Sequence, residues 1–332
     1  MRCSAEAPDV SAMTTEYRHT PVLLAECLRQ LNLETKHTFA DCTLGFAGHS
    51  YEAAKLLGGE GTLIGIDQDT VALEAAREKL ETIPEEQRPE LHLLHGNFGD
   101  LDELLVKACV PAVDAFLFDL GVSSVQIDTP SRGFSFKENG PLDMRMDPGN
   151  NTLTAAEIVN HYNEADLTRV IRNYSDEKWA SRIASFIVKA RKEAPIMTSE
   201  QLVEIVKAAI PASARRAGGH PAKRTFQALR IEVNSELDVL RSALESAIRW
   251  LSPGGRIVVM SYHSLEDRIV KDVFKEASQG CTCPPGLPVC VCGNKPILRN
   301  ITRRPVLPDA AEIERNPRAR SAKLRVAERL AI

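Results

Sequence analysis

Two glycines and an aspartate near the start of the chain form a candidate cofactor loop. An apolar run from Phe39 leads into a loop with Gly45 and Gly48, and after a helical pattern a second apolar run ends on Asp67. Backbone approaches a ligand closely at glycines, and an acid about 20 residues after such a loop can accept hydrogen bonds from ribose hydroxyls. The spacing predicts a pocket for a nucleotide-like cofactor, although a ligand-free strand, turn and helix would have the same pattern.

Two further residues are candidates for acid–base chemistry. Asp119 ends an apolar run, and ligands of open parallel sheets collect beyond the carboxyl ends of the strands. A carboxylate there can accept a proton or orient an amine, whereas the alternative role is capping of the next turn. His263 could act as an acid or base, although Ser264 and Asp267 also fit a capping box that opens a helix.

Alternating strands and helices must position these residues. Thr20 and Pro21 predict the start of a helix whose apolar face runs to Leu31. The predicted strands cover residues 38–44, 62–67, 91–95, 114–120 and, as the last of the set, 255–261. Because these strands are continuous apolar runs separated by helices, they indicate a parallel sheet that is covered on both faces.

A helical block interrupts the sheet pattern after the fourth strand. Residues 131–224 contain two capping-box patterns, at Thr154–Glu157 and Thr198–Gln201, each before an amphipathic run. The block is too long for a crossover connection, so we predict an inserted helical domain between two parts of the sheet domain, 19–130 and 225–332. A single long helix over about 225–251 is expected to return the chain to the sheet.

Composition limits the classes of protein to consider. The chain has 332 residues, of which 43% are hydrophobic, and it contains no long apolar span, so we expect a globular protein without a membrane segment. Residues 1–18 contain acids and no apolar stretch, which favours a flexible extension over a secretory signal or transit peptide. We therefore predict a cytoplasmic protein.

Positive charge is concentrated in two segments although the net charge is −4. From Lys295 to Arg329 there are ten Lys or Arg against four Asp or Glu, and a second cluster extends from Arg215 to Arg230 around a flexible Gly-Gly segment. One interpretation is a solvated face and a disordered tail, and the alternative is a surface that binds the phosphates of a polyanion.

Four cysteines near the end of the chain resemble a metal site. Cys281, Cys283, Cys290 and Cys292 form two Cys-x-Cys pairs that could bind zinc tetrahedrally, but structural zinc sites usually have Cys-x-x-Cys spacing. A reduced, proline-stiffened loop is the alternative, and a disulfide is not expected in the cytosol. From the sequence we predict no bound metal.

Eight motifs in order closely resemble those of the MraW/RsmH family. They are His19–Glu26, Thr43–Ser50, Asp119–Ser124, Arg132–Phe136, Pro141–Asp147, Phe226–Asn234, Ser261–Arg268 and Ala319–Arg325. The resemblance implies a Rossmann-like class I methyltransferase sheet with an inserted all-helical substrate-recognition domain. It also implies transfer of a methyl group from S-adenosylmethionine to the exocyclic N4 amine of a cytosine in the decoding centre of small-subunit (16S) ribosomal RNA.

The resemblance also implies site residues. The cofactor contacts would be Ala47, Gly48, His49, Asp67, Phe98, Asp119 and Gln126. The loop would receive the methionine end, Asp67 the ribose hydroxyls, and Phe98 would offer an apolar surface to adenine. The family usually has Gly-Gly-His where this chain has Ala47-Gly48-His49, and alanine fits there if its φ is negative.

For catalysis we expect Asp119 to draw the N4 amine toward tetrahedral geometry, with the final proton passing to a carboxylate, to His263 or to water. An RNA substrate favours phosphate contacts by the basic segments. The predicted RNA-binding residues are Arg215, Arg216, Lys223, Arg224, Arg318, Arg320, Lys323 and Arg325. The alternatives are a ribosome-assembly factor that no longer transfers methyl groups and a nicotinamide-dependent oxidoreductase. The loop lacks the full G-x-G-x-x-G spacing of the latter. Whether the chain forms a homodimer is left open.

Overall fold

A seven-stranded sheet organises the part of the chain that the computed structural model describes, namely residues 21–215, 219–283, 289 and 291–331. The strands are β1 (Thr38–Asp41), β2 (Thr62–Asp67), β3 (Glu90–His95), β4 (Val113–Asp119), β5 (Leu251–Ser261), β6 (Leu298–Asn300) and β7 (Lys323–Arg329). Their order in the sheet is β3-β2-β1-β4-β5-β7-β6, in which β1 to β5 pair in parallel and β7 is antiparallel to both neighbours. This topology confirms the predicted Rossmann-like fold class. The expected extension at residues 1–18 lies outside the described residues.

Helices of varied length connect the strands. They are α1 (Leu24–Leu31), α2 (Gly48–Leu57), α3 (Thr70–Glu81), α4 (Leu101–Lys107), α5 (Ser124–Asp128), α6 (Ala155–His161), α7 (Glu164–Ser175), α8 (Ala180–Ala190), α9 (Ser199–Ala209), α10 (Ala212–Arg215), α11 (Lys223–Asn234), α12 (Glu236–Trp250), α13 (Ser264–Ser278) and α14 (Ala310–Arg315). Short 3-10 helices lie at Leu33–Thr35, Glu85–Gln87, Phe98–Asp100, Pro130–Arg132 and Pro317–Ser321. Within the described residues no helix is long and apolar enough to cross a membrane.

Both faces of the sheet are buried, as the continuous apolar strands predict. Successive side chains of a strand point to opposite faces. In β4, Phe116 and Phe118 therefore pack with α4, α12 and α13 on one face, while Ala115 and Leu117 pack with α1, α2 and α3 on the other. The sheet is thus the centre of a three-layer arrangement that holds the carboxyl ends of its strands rigidly.

The helical block has a hydrophobic core of its own. Residues of α6 to α9 form a third buried cluster, which also includes Phe226, Leu229 and Val233 of α11. The predicted capping box at Thr198 is present, with Gln201 as its partner, and Thr154 accepts a hydrogen bond from the backbone of Glu157. The block is therefore built around apolar contacts that are separate from the two sheet faces.

The predicted single helix over 225–251 is wrong. The chain forms α11 and α12 instead, separated at Ser235, which has a φ of 50°. A left-handed residue ends the hydrogen-bond pattern of a helix and redirects the chain. The break lets α11 pack in the helical block while α12 packs on the sheet.

The basic tail is also more ordered than the sequence indicates. The predicted last strand, 255–261, begins earlier, at Leu251, and is followed by β6 and β7. Leu324 and Val326 of β7 are fully buried, and β7 pairs with residues Arg256–Ser261, the carboxyl-terminal half of β5. The interpretation of this segment as a disordered tail is therefore wrong for its described residues.

Two boundaries at the amino-terminal side also differ from the prediction. The first helix begins at Leu24 rather than near Thr20, because Leu23 has a φ of 52° and precedes the helix in a left-handed conformation. The first strand ends at Asp41, three residues earlier than predicted, so that Cys42 to Ala47 are available to form the loop beyond the sheet.

Candidate active site

Three aspartates meet where the parallel strands end. Asp41, Asp67 and Asp119 are the last residues of β1, β2 and β4. Asp41 is buried, accepts a hydrogen bond from the Ser50 hydroxyl at 2.6 Å and one from the Thr43 backbone N–H at 3.1 Å, and its pKa is raised by burial. Asp41 therefore supports the loop after β1 from inside, while the other two carboxylates border the space beyond the strands.

The loop after β1 is fixed to both neighbouring strands. The Leu44 N–H donates to the Ile66 carbonyl on the β2 side, and the Thr43 hydroxyl accepts from the Asp119 N–H at 2.7 Å on the β4 side. Gly48 is the first residue of α2 and lies against Pro21. A Cβ at Gly48 would be only 2.8 Å from the Pro21 ring. Glycine is therefore required there for packing.

Ala47 is in the left-handed conformation, with a φ of 52°, and is fully buried. The condition under which alanine fits this position, a negative φ, is therefore not met. The left-handed region costs an L-residue with a Cβ about 1–2 kcal/mol. The loop nevertheless keeps the shape that glycine would allow, because the buried Ala47 methyl packs in the apolar cluster below the loop.

Asp67 is suited to binding hydroxyl donors. Its two oxygens accept backbone N–H groups from Gly45 at 2.7 Å and from Asp69 at 2.9 Å. Burial raises the pKa of Asp67 to about 6, which these two hydrogen bonds partly counter. Each carboxylate oxygen has a second lone pair, so both can accept a further hydrogen bond. Asp67 therefore has acceptor capacity for hydroxyl groups, and its role as the partner of the ribose stays a prediction.

Asp119 contacts two side chains that could control its proton. The Tyr262 hydroxyl donates to Asp119 Oδ1 at 2.7 Å, and His49 Nδ1 lies 3.6 Å from Asp119 Oδ2. Burial and the neighbouring Asp119 raise the pKa of Tyr262 well above its usual value, so the phenol stays protonated and remains a donor. His49 Nε2 is 2.9 Å from the Val22 carbonyl, which can only accept, so Nε2 carries a proton and Nδ1 is left to face Asp119.

Tyr262, which contacts Asp119, is not among the site residues predicted from the sequence. It lies within the Ser261–Arg268 motif, directly after β5, but the prediction selected its neighbour His263. The register offers a signal, because Met260 of β5 pairs with Asp119 of β4, and the residues that follow paired strand ends lie close together. The extended backbone of His263 then directs its side chain away from Tyr262.

His263 belongs to a separate buried charge cluster. It is the N-cap residue of α13, and its partner in the capping box is Glu266, not the predicted Ser264 and Asp267 pair. His263 Nε2 lies 3.1 Å from Glu266 Oε1, at ion-pair distance but without hydrogen-bond geometry. Glu236 is also close, and Arg230 donates two hydrogen bonds to it at 2.7 Å. His263, predicted as one of the acceptors of the final proton, thus has its side chain in this cluster, where it contacts Glu266 rather than Asp119.

Gln126 and Phe98 lie on the short helices that follow the ends of β4 and β3. Gln126 forms a capping box with Ser123 at the start of α5, and its Nε2 lies 3.3 Å from Asp69 Oδ2. Arg132 donates to the same Asp69 oxygen at 2.6 Å. Phe98 is partly buried and meets Phe118 edge to face, with ring centroids 5.9 Å apart. Phe98 thus keeps part of its ring accessible, as an adenine contact requires.

The basic residues near the helical block face an open cleft. Lys223 and Arg224 are exposed and line a cleft of about 370 Å³ together with His263 and Ser264. Arg224 lies 3.8 Å from the buried Glu177, and Arg215 is exposed on α10. Arg216 lies outside the described residues. The cleft is lined by His263, the residue after Tyr262 in the chain, but not by Tyr262 or Asp119.

The basic residues of the tail divide into two groups. Arg325 is buried and donates to Asp267 at 2.6 Å, and Lys323 contacts the same carboxylate at 3.3 Å. Arg325 is therefore engaged in a structural ion pair with Asp267, which corrects its predicted RNA contact, whereas the Lys323 side chain remains partly exposed. Arg318 pairs with Asp128 at 2.8 Å but remains exposed on the surface, as does Arg320.

Comparisons with known proteins identify the family of this site. The sequence profile of the MraW methylase family matches residues 16–330. The ribosomal RNA small subunit methyltransferase H of Geobacter sulfurreducens is 53% identical over 317 residues, which cover 95% of this chain and 99% of that protein. The protein of the same name from Halothermothrix orenii is 50% identical over 312 residues, covering 94% and 98%. Ribosomal RNA small subunit methyltransferase H 2 of Agathobacter rectalis is 51% identical over 315 residues, covering 95% and 99%. The resemblance inferred from the eight motifs is confirmed, and the chain belongs to the MraW methylase family.

Proposed function

We propose that this chain transfers a methyl group from S-adenosylmethionine to the exocyclic N4 amine of a cytosine in the decoding centre of small-subunit (16S) ribosomal RNA. Family membership and the names of the relatives support this reaction class and this RNA. The observation that carries the proposal is Asp119, a carboxylate at the end of β4 with Tyr262 on one oxygen and His49 beside the other. A cytoplasmic location follows from such a substrate.

The residues at the strand ends fit the methyl donor. Asp67 retains acceptor capacity for two ribose hydroxyls, and Phe98 presents part of its ring near the end of β3. The loop from Gly45 to Gly48 lies between them and Asp119, where the methionine end is expected. When bound, S-adenosylmethionine supplies an electrophilic methyl group on a sulfonium.

Asp119 is placed to activate the attacking amine. The N4 lone pair of cytosine is delocalised into the ring, so an acceptor must draw the amine out of conjugation. Asp119 can accept an N4 hydrogen on Oδ2, because Tyr262 occupies Oδ1 and limits rotation of the carboxylate. The chain therefore contributes mainly by orientation of the amine and stabilisation of its developing positive charge.

His49 offers a destination for the proton that the methylated nitrogen releases. Its Nδ1 is 3.6 Å from Asp119 Oδ2, and its Nε2 is held by the Val22 carbonyl. A proton that reaches Asp119 can therefore pass to Nδ1 and form an imidazolium with both ring nitrogens directed at acceptors. His49 replaces His263 in this role.

We infer that the RNA backbone occupies the cleft of Lys223 and Arg224. Both cations are exposed, and the cleft is also lined by His263, which follows Tyr262 in the chain. Phosphate contacts there would position a flipped or single-stranded cytosine over Asp119, because a paired N4 amine is unavailable. Arg215, Arg216, Arg318 and Arg320 would extend the contact surface. A small ribosomal subunit, rather than naked RNA, is the proposed form of the substrate.

Substitution of Asp119 tests the reaction. We expect Asp119→Asn, which preserves size, to lower methyl transfer at least about 100-fold, because an amide is a much weaker acceptor than a carboxylate. Asp272→Asn, an exposed carboxylate on α13, is the matched control. The readout is mass mapping of small-subunit RNA from cells that contain either variant as the sole copy. Near-normal methylation with Asp119→Asn would contradict the proposal.

Calorimetry separates the two alternative functions. An assembly factor without activity would bind small subunits but leave their RNA unmethylated, and a nicotinamide enzyme would bind NAD in place of S-adenosylmethionine. We expect the wild type to bind S-adenosylmethionine and not NAD, because Gly45-Phe-Ala-Gly48 lacks the third glycine position of a dinucleotide loop.

A further inference from the structure

Three cysteine thiols after α13 converge on one point. Cys281, Cys283 and Cys292 each direct an Sγ atom into a cluster in which all three sulfurs lie within 4.8 Å of one another. Cys281 Sγ and Cys292 Sγ are 3.7 Å apart. This separation is too long for a disulfide, whose S–S bond is about 2.05 Å. Two thiolates that share a tetrahedral zinc at about 2.3 Å would be about 3.8 Å apart.

Backbone N–H groups are directed at two of the sulfur atoms, where they could stabilise thiolates. The Thr282 N–H is directed at Cys292 Sγ at 3.3 Å, and the Val291 N–H is directed at Cys283 Sγ at 3.4 Å. Each of the two cysteine-containing segments thus donates a backbone N–H to a sulfur of the other segment. Backbone N–H groups stabilise a thiolate ligand much as they stabilise a carboxylate. Such crossed contacts are the arrangement expected around a metal ligated by two short segments.

Hydrogen bonds join the two ends of the loop between α13 and β6. A metal ion would therefore stabilise the part of the loop between these ends. The Ile297 N–H donates to the Ala277 carbonyl at 2.8 Å, and the Asn294 side chain donates to the carbonyls of Gln279 and Gly280. The cysteines are beyond these bonds, where Val289 and Val291 are exposed, so the described residues of the loop bury little apolar surface. Small segments without a core are commonly held by a structural metal.

From this geometry we infer that Cys281, Cys283 and Cys292 bind one structural zinc ion. Cys290, the fourth cysteine of the sequence pattern, lies outside the described residues. An iron–sulfur cluster is a poorer fit, because it distributes its cysteine ligands over several iron atoms, farther apart than ligands of a single ion. The convergence of the sulfurs thus outweighs the unfavourable Cys-x-Cys spacing, which led to the prediction of no metal.

The position of the cluster indicates a structural role. Helix α13 begins beside Tyr262 and ends at Ser278, just before Cys281. Its 15 residues span about 22 Å, so the sulfurs are far from Asp119. The ion would stabilise the connection between α13 and β6 without contact to the reacting groups.

Metal analysis of protein purified without a histidine tag tests the inference. We expect about one zinc per wild-type chain, and a loss of most of it in Cys281→Ser and in Cys292→Ser. Cys109→Ser, which removes an exposed thiol outside the cluster, should retain the wild-type amount. Equal zinc contents in wild type and Cys281→Ser would overturn the proposal, as would a Cys281–Cys292 disulfide in protein prepared under reducing conditions.

A second measurement does not depend on the folding of the variants. Wild-type protein stripped with a chelator should take up one equivalent of Co²⁺ and develop thiolate-to-cobalt charge-transfer and tetrahedral ligand-field absorption, which Zn²⁺ then displaces. Uptake of Co²⁺ without thiolate charge-transfer bands would place the metal elsewhere and contradict the proposal.

Discussion

At the scale of single residues, the surroundings of Asp119 explain why this carboxylate can do more than cap a turn. Its backbone N–H donates to the Thr43 hydroxyl, and its carboxylate oxygen Oδ1 accepts a hydrogen bond from Tyr262. The second oxygen, Oδ2, faces His49 Nδ1. Thr43 and His49 come from the loop after β1 and the start of α2, and Tyr262, which is distant in sequence, follows β5. Only Asp119 and His49 are predictable from motif position, because the role of Tyr262 depends on the register between β4 and β5.

Removal of the Tyr262 hydroxyl should slow methyl transfer. We expect Tyr262→Phe to lower turnover about tenfold or more, since a hydrogen bond to a charged group contributes about 1.5–3 kcal/mol and this one orients the acceptor. Affinity for S-adenosylmethionine should change little. Tyr162→Phe is the matched control, because Tyr162 donates to the carboxylate of Glu232 at 3.1 Å outside the site. Equal turnover in the two variants would remove Tyr262 from the mechanism.

Burial of Asp67 has a consequence for stability. Because its pKa is raised to about 6 in the folded chain, the folded state binds the proton more tightly than the unfolded state, whose pKa is the ordinary 3.8. The stabilising contribution is complete below about pH 4 and is lost as the pH rises through 6. We expect the unfolding free energy of wild type minus that of Asp67→Asn to fall by roughly 2 kcal/mol between pH 4 and pH 7.

Urea denaturation at several pH values measures this difference, and the subtraction removes the contributions of the other acids. Thr62 begins the same strand, so Thr62→Ser serves as a control that should show no comparable trend. A difference that is constant with pH would mean that Asp67 titrates normally.

At the scale of elements, the strands were predictable and several of the changes in chain direction were not. A fully buried parallel strand such as β4 is a continuous apolar run, so it can be recognised without its neighbours. The break at Ser235 has no sequence signal, because the apolar periodicity continues through it and a left-handed serine is uncommon. Strand β7 was not predicted because charged residues interrupt its apolar pattern. One of them, Arg325, is buried, and its guanidinium donates a hydrogen bond to Asp267 on α13.

The break between α11 and α12 should tolerate glycine better than serine. Ser235 is exposed and makes no side-chain capping contact, so Ser235→Gly removes the left-handed strain and should raise the unfolding free energy by about 0.5–1 kcal/mol. Ser242→Gly, an exposed position inside α12, should lower it by about 0.5 kcal/mol. Chemical denaturation of both variants gives the comparison, and the same sign at both positions would contradict this account of the break.

At the scale of the whole molecule, the carboxyl-terminal segment fastens several parts of the site. Glu312 accepts a hydrogen bond from the Leu23 N–H, Arg318 pairs with Asp128 at the end of α5, and Arg325 pairs with Asp267 on α13. These three contacts reach the segment that holds His49, the helix that carries Gln126 and the helix that follows Tyr262. Much of the tail's charge is therefore used within the fold, and the cleft at α11 is the stronger candidate for RNA contact.

Substitutions in that cleft should change the salt dependence of subunit binding. We expect the double variant Lys223→Ala, Arg224→Ala to weaken binding to small ribosomal subunits and to reduce the slope of log K against log salt by about 2, one for each lost phosphate contact. Lys55→Ala with Arg77→Ala, on helices of the opposite sheet face, is the control of equal charge. Binding measured by filter retention over a salt series should distinguish the pairs, and parallel lines would exclude the cleft.

The position of β7 between β5 and β6 determines the order in which the sheet can form during translation. About 130 residues, including the entire helical block, are synthesised between β4 and its partner β5, and β5 can pair with β7 only after residues 323–329 have been synthesised. The amino-terminal half therefore emerges from the ribosome with an unpaired apolar strand edge, the kind of surface that chaperones recognise. A chain interrupted before residue 323 would lack the ion pair with Asp267 and the cover of β5. The sheet would then be complete only after residues 323–329 have been synthesised.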